Sequence, residues 1–136
     1  MIAEKLKIDV RETDSLGDAS GEVVARRDGP VIRVNSQESN LRQRFTVAHE
    51  IGHVVLGHLN RGETRRKRDT SAEFSLKNFD PDEAEANQFA AELLMPRVAV
   101  NALVKRTDHG LARLARAFEV SEVAMQYRLK NLGWVS

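Results

Sequence analysis

At 136 residues the chain is long enough for one core but not for two, and its charges nearly cancel, with 21 Lys and Arg against 20 Asp and Glu. That balance excludes the global basic field that holds nucleic acid, and the absence of cysteine excludes disulfides and thiolate metal sites. Met1-Ile2-Ala3-Glu4-Lys5 runs straight into charge in place of a signal peptide, and no apolar run approaches the roughly 20 residues of a membrane helix, so a soluble, cytoplasmic protein is expected.

Residues 1–7 read as the end of a short helix, with Ile2, Ala3 and Leu6 on one face. Ile8-Asp9-Val10-Arg11-Glu12 alternates apolar and polar, as a half-buried strand does. Gly17 to Gly21, rich in Gly, Ser and Asp, is expected to loop. Val23 and Val24 open a strand, Asp28-Gly29-Pro30 turns it and Val31-Ile32-Arg33-Val34 returns, which predicts a hairpin within a small antiparallel sheet. Asn35-Ser36 ends the strand, and Ser36, Ser39 or Asn40 should cap the helix that follows.

That helix carries His49-Glu50-Ile51-Gly52-His53, the pattern H-E-x-x-H. Residues four apart lie one above the other on a helix, so the imidazoles of His49 and His53 can face one metal ion. Neutral imidazole suits Zn²⁺, bound at about 2.0–2.1 Å in tetrahedral geometry. Glu50 is rotated by roughly 100° from His49, beside the metal and not on it, where a general base for a metal-activated water belongs. Leu41, Phe45, Val47, Ala48, Ile51, Val54, Val55 and Leu56 cover most of the remaining circumference, which predicts a buried helix. Two buried histidines and a glutamate need partners. A metal supplies them; the plainer alternative is a core histidine pair satisfied by polar neighbours. Gly57 should stop the helix, and His58 beyond it reads as a helix-end residue favoured by the C-terminal dipole.

Arg61 to Asp69 reads as a loop with a basic cluster (Arg61, Arg65, Arg66, Lys67, Arg68), a solvated tip in preference to a nucleic-acid or acidic-substrate patch. Ala72 to Leu76 is a weaker strand signal. Asp80-Pro81-Asp82-Glu83 starts a helix, with Asp at N-cap and Pro at N1, that runs through Phe89, Ala90, Leu93 and Leu94 to Met95 before Pro96. Catalytic zinc commonly takes three protein ligands, and Glu83 and Glu85 are the candidates for the third. Glu83 is preferred, because Asn87 lies four residues on along the same face, where an amide could hold a ligating group. Glu83 as a capping-box residue reaching back to Asp80 is the alternative.

After Pro96 the chain reads as helical: Val98, Val100, Leu103 and Val104 in one amphipathic segment, Leu111, Leu114, Ala115 and Phe118 in a second, and Val123, Met125, Tyr127, Leu129 and Leu132 in a third, capped by Ser121 and closed by Gly133. The last two resemble a helix-turn-helix, with Glu119 where glycine is usual, so a DNA-binding regulator is the rival function. Against it, residues 107–136 hold four basic side chains (Arg113, Arg116, Arg128, Lys130) and three acidic ones (Asp108, Glu119, Glu122), little for a phosphate backbone. A packing element is the better reading. His109 or Tyr127 is a candidate donor to a developing oxyanion, each against an ordinary structural role.

Arg44-Phe45-Thr46-Val47-Ala48-His49-Glu50-Ile51-Gly52-His53, followed by Glu83-Ala84-Glu85-Ala86-Asn87-Gln88-Phe89-Ala90-Ala91-Glu92-Leu93-Leu94-Met95-Pro96, resembles the ImmA/IrrE family of metallo-endopeptidases. The likeness extends from the Ile8-Asp9-Val10 strand to Arg128-Leu129. It implies an α+β fold in which a small antiparallel sheet packs on a helical zincin-like core. One metallopeptidase domain would span 1–136, sheet-rich over 1–36, with the metal-site helices in 37–96 and a helical segment over 97–136. It also implies Zn²⁺ on His49, His53 and Glu83 with Glu50 as general base, and cleavage of a helix-turn-helix repressor in bacterial stress responses or mobile elements. The motif alone does not separate Glu83 from Glu85. The metzincin pattern is excluded, since Gly57 and His58 follow His53 at four and five residues, the wrong spacing.

Overall fold

The computed structural model describes residues 7–60, 64–68, 80–106 and 110–135, with residues 66–68 described by their backbone. Four strands, β1 (Asp9–Thr13), β2 (Ala19–Arg26), β3 (Gly29–Asn35) and β4 (Thr64–Arg68), form one sheet in the order β1-β3-β2-β4. The helices among the described residues are α1 (Asn40–Val55), α2 (Pro81–Leu94), α3 (Arg97–Arg106), α4 (Leu111–Phe118) and α5 (Glu122–Asn131). The fold is α+β. The expected helix before Lys7 and the strand over Ala72 to Leu76 lie outside the described residues.

The sheet corrects several expectations. β2 and β3 form the anticipated antiparallel hairpin, but Arg26 pairs Gly29, so the two-residue turn is Arg27-Asp28 and Gly29 already belongs to β3. β1 pairs β3 in parallel, with Asp9 opposite Val31 and Thr13 opposite Asn35, so the sheet is mixed and not antiparallel throughout. The reason is placement: the chain reverses twice between β1 and β3, and β1 adds to the free side of β3 because β4 occupies the free side of β2. β2 starts at Ala19, inside the segment expected to loop. Ala19, Ser20 and Gly21 lack strand propensity but are all buried, and β2 is bonded on both sides, Gly21 standing opposite Val34 and Lys67. The basic run expected as a solvated loop supplies β4, antiparallel to β2, so the sheet draws a strand from beyond residue 36.

Helix α1 sits between two cores. Ile51 packs with Ile8, Val23, Ile32 and Val34 against the sheet, joined by Val47, Val54 and Phe89 at its margin. Phe45 and Ala48 face the other way, toward Ala90, Met95, Val100, Leu114, Ala115, Val120, Met125 and Leu129. Burying a side chain such as Ile51 or Met125 is worth about 1.5–3 kcal/mol, so this arrangement fixes the roll of α1 about its own axis. The expected apolar circumference is overstated at the ends, where Leu41, Val55 and Leu56 are exposed. Val98 is exposed too, opposite the buried Val100 on α3.

Local signals place the helix ends. Ser39 Oγ accepts from the Arg42 amide, Asp80 from the amides of Asp82 and Glu83, and Ser121 from that of Ala124. Glu119 ends α4 in the left-handed conformation at φ 54°, at the position where glycine is usual in a helix-turn-helix. The pair α4–α5 is nevertheless a packing element. Arg44 Nη1 on α1 donates to the carbonyls of Phe118 and Glu119, each at 2.8 Å. Arg128 is buried, donating to the Met95 carbonyl at 3.0 Å and pairing with Glu92. One of the four basic residues counted for a phosphate contact is thereby spent inside the protein.

Candidate metal centre

The site forms where α1 and α2 approach most closely. Gly52 faces α2, and a Cβ built there would lie 3.1 Å from Phe89 Cδ1 and 3.2 Å from Ala86 Cα, so only glycine admits this spacing. His49 and His53 flank that contact, one turn apart, and they and Glu50 are all fully or almost fully buried. On α2 the Asp80 cap fixes the register, which sets Glu83 in the first turn and Asn87 one turn on, both toward α1.

Three candidate ligand groups converge. His49 Nε2 and His53 Nε2 are 3.2 Å apart. Glu83 Oε1 lies 3.1 Å from His49 Nε2, and Oε2 lies 2.6 Å from His53 Nε2. Glu83 therefore turns its carboxylate to the histidines and not back to Asp80 as a capping box would. Glu85 is the more exposed carboxylate and lies 3.5 Å from His58 Nε2. The far side of each ring is also occupied: His49 Nδ1 is 2.7 Å from Asn87 Oδ1, and His53 Nδ1 is 2.9 Å from His58 Nδ1. An amide oxygen only accepts, so His49 carries its proton on Nδ1 and turns the Nε2 lone pair toward Glu83.

A divalent cation fits this donor set. Nitrogen ligands at about 2.0–2.1 Å from a tetrahedral zinc stand roughly 3.3–3.4 Å from one another, close to the spacing of the two Nε2 atoms and of His49 Nε2 from Glu83. Without a cation, two imidazole lone pairs and a carboxylate would point at one another inside the protein. Burial by itself raises the Glu83 carboxyl; when no metal is bound and the His49 and His53 rings also carry protons on Nε2, their hydrogen bonds and charge outweigh burial and hold the group well below the usual carboxylate range. Glu50 stands beside the ligand atoms, its Oε1 3.8 Å from His49 Nε2. Metal-ligating types cluster here as His49, Glu50 and His53, and again as His58, Asp82 and Glu85.

Two neighbours escaped the sequence reading. Arg65, assigned to a solvated loop, reaches from β4 over the first turn of α2, with Nη2 2.6 Å from Asp82 Oδ2, Nη1 3.5 Å from Glu83 Oε2 and Nε donating to the His58 carbonyl at 3.2 Å. His58 closes the helix end as expected, but its ring also lies against His53, centroids 5.1 Å apart. Of the oxyanion candidates, His109 lies outside the described residues, and Tyr127 lines a small cavity with Asn87, Gln88 and Met95 between α2 and α5.

An H-E-x-x-H helix facing a glutamate on a second helix is the arrangement of metal-ligand types found in zincin-like metalloproteins. The sequence profile of the IrrE N-terminal-like domain matches residues 3–130, and the chain belongs to this ImmA/IrrE family of metalloproteases. It is similar to the radiation response metalloprotease IrrE of Deinococcus deserti, 36% identical over 116 residues that make up 78% of this chain and 40% of that protein. It is similar also to the radiation response metalloprotease IrrE of Deinococcus radiodurans, 35% identical over 103 residues, 73% of this chain and 30% of that protein. The chain thus spans less than half the length of these relatives. No helix among the described residues is long and apolar enough to cross a membrane.

Proposed function

We propose that residues 1–136 form one catalytic domain of a zinc-dependent endopeptidase, with Zn²⁺ held by His49, His53 and Glu83 and Glu50 as the general base. The observation that carries this reading is the convergence of the two Nε2 atoms and the Glu83 carboxylate within 3.2 Å of one another, with both Nδ1 atoms already engaged. Zinc bound there supplies Lewis-acid activation of a water and of the scissile carbonyl. Glu50 takes the proton of the attacking water and returns it to the leaving amine. Its burial excludes bulk water from that exchange. Asn87 holds the His49 ring so that Nε2 faces the centre.

The substrate peptide lies extended along β4 as an added strand. β4 pairs β2 on one side, no strand pairs its other side among the described residues, and Arg65 joins it to the first turn of α2. The substrate is a helix-turn-helix repressor in a bacterial stress or mobile-element regulatory pair, and the protein works in the cytoplasm as an agent of transcription regulation. This extends to the chain what the family resemblance and the relatives' names suggest.

The test is cleavage of a candidate repressor by the zinc-loaded protein, followed by mass spectrometry, with Glu50→Gln in parallel. Glu50→Gln should keep zinc and lose cleavage by about 10²–10⁴-fold, the usual contribution of a positioned proton-transfer group. Undiminished cleavage by that variant overturns the base assignment. Zinc binding with no cleavage of any repressor would instead identify a metal-stabilised scaffold.

A further inference from the structure

Helix α1 does not simply stop after its second histidine. Gly57, at φ +76°, follows the C-cap Leu56, and two backbone bonds close the end: Gly57 N–H to the Val54 carbonyl at 3.3 Å and His58 N–H to the His53 carbonyl at 2.9 Å. This is the Schellman arrangement, which folds the second residue past the cap back over the last turn. An apolar residue commonly makes that contact. Here it is His58, with its side chain 8% exposed and its Nδ1 2.9 Å from His53 Nδ1.

A hydrogen bond between two ring nitrogens holds one proton, so one ring donates and the other accepts. With a metal ion on His53 Nε2, as read above, the His53 proton sits on Nδ1 and His53 is the donor. His58 then accepts on Nδ1 and carries its own proton on Nε2. That nitrogen points at two carboxylates, 3.6 Å from Asp82 Oδ1 and 3.5 Å from Glu85 Oε1. Asp82 is in turn held by Arg65 from β4 at 2.6 Å.

We infer that His58 is a positioning residue for the metal centre: as the sole acceptor of the His53 Nδ1 proton among the described contacts, it fixes the tautomer and ring orientation of His53, as Asn87 does for His49. The inference rests on the metal reading above. It also gives Glu85 a role. The carboxylate that competed with Glu83 for the metal stands behind His58, two rings removed from the centre. Acceptors of this kind raise the basicity of a ligating imidazole and hold it in place, and losing one weakens metal binding by about 10–100-fold.

Three substitutions test it, read by zinc affinity against a chromophoric chelator. His58→Leu removes the acceptor and should weaken zinc by about 10–100-fold. His58→Asn sets an amide oxygen near the Nδ1 position and should restore most of that affinity, whereas His58→Gln reaches instead toward the Nε2 position and should not. A long-range proton–nitrogen NMR spectrum of the zinc-loaded wild type should show His58 protonated on Nε2 alone. Equal zinc affinity in wild type and His58→Leu, or equal losses in the Asn and Gln variants, overturns the inference. The Asn–Gln comparison decides it even if the Leu variant fails to fold. A wild type that binds no zinc sinks the metal reading itself, a result distinct from either.

Discussion

Gly52→Ala pits two effects of opposite sign against each other at the centre of the molecule. Replacing glycine in a helix interior with alanine is worth up to about 1 kcal/mol of added helix propensity. The added methyl, however, would sit 3.1 Å from Phe89 Cδ1, 3.2 Å from Phe89 Cβ and 3.2 Å from Ala86 Cα. Phe89 can turn its ring, but Ala86 Cα belongs to the backbone of α2, so the second helix must shift. Overpacking of this kind costs about 1–3 kcal/mol. With the propensity gain subtracted, a net loss of about 1 kcal/mol is expected, a fall in Tm of roughly 4 °C for a chain of this length. Glu83 and Asn87 ride on α2, so the same shift should weaken zinc by about tenfold, the low end of the loss seen when a supporting partner is removed. Thermal unfolding of the metal-free protein and chelator competition give the two numbers separately. A variant about 1 kcal/mol more stable, with unchanged zinc affinity, would mean that propensity acts alone and that the helices are not in contact at Gly52.

Glu83→Ala should weaken zinc by more than about 100-fold while Glu85→Ala costs less than about tenfold, since only Glu83 lies within 3.2 Å of both histidines; equal losses in a chelator titration would refute the ligand assignment. The pairing of Glu92 with Arg128 predicts a pH dependence of stability. Burial raises the Glu92 carboxyl, but the hydrogen bonds and charge of Arg128 and Arg97 together prevail, and its folded value lies below its ordinary one. Its contribution is therefore fully present above the unfolded carboxylate value of about 4.3 and is lost as pH falls through the lower folded value. The Tm difference between wild type and Glu92→Gln should be constant near neutrality and shrink only below about pH 4; a gap that persists in strong acid would remove the ion pair as its cause.

Apart from Glu83, preferred from its spacing to Asn87 and from the family motif, the parts that were legible in the sequence share one property: both ends of the relevant contact lie within a turn or two of each other. H-E-x-x-H orients His49 and His53 because helix geometry alone stacks them. Asp80-Pro81 starts α2 because the cap accepts from amides two and three residues away. The turn at Gly57 was local as well, and the Schellman geometry would have delivered His58 to His53 had the residue after the glycine been traced back over the helix end. What could not be read is nonlocal. β4 has the composition of a solvated run, Thr64-Arg65-Arg66-Lys67-Arg68, and becomes a strand because β2 leaves an edge to pair with. The parallel placement of β1 likewise depends on which edge of the hairpin is free, and no window of sequence contains that information.

Charge explains why the centre forms where it does. His53 lies in the last turn of α1, where the helix dipole favours a cation, and Glu83 in the first turn of α2, where it favours an anion. Each such placement is worth about 0.3–1 kcal/mol when exposed and more when partly buried. A metal ion held between them would meet the negative end of one helix through imidazole, while the Glu83 carboxylate meets the positive end of the other. Among the described residues, Glu50, Asp82, Glu83 and Glu85 bring four carboxylates to this junction against the guanidinium of Arg65, which already leans on Asp82 and Glu83. A divalent cation offsets most of this negative charge, and that attraction, together with the close approach at Gly52, favours a metal centre over a histidine pair satisfied by polar neighbours.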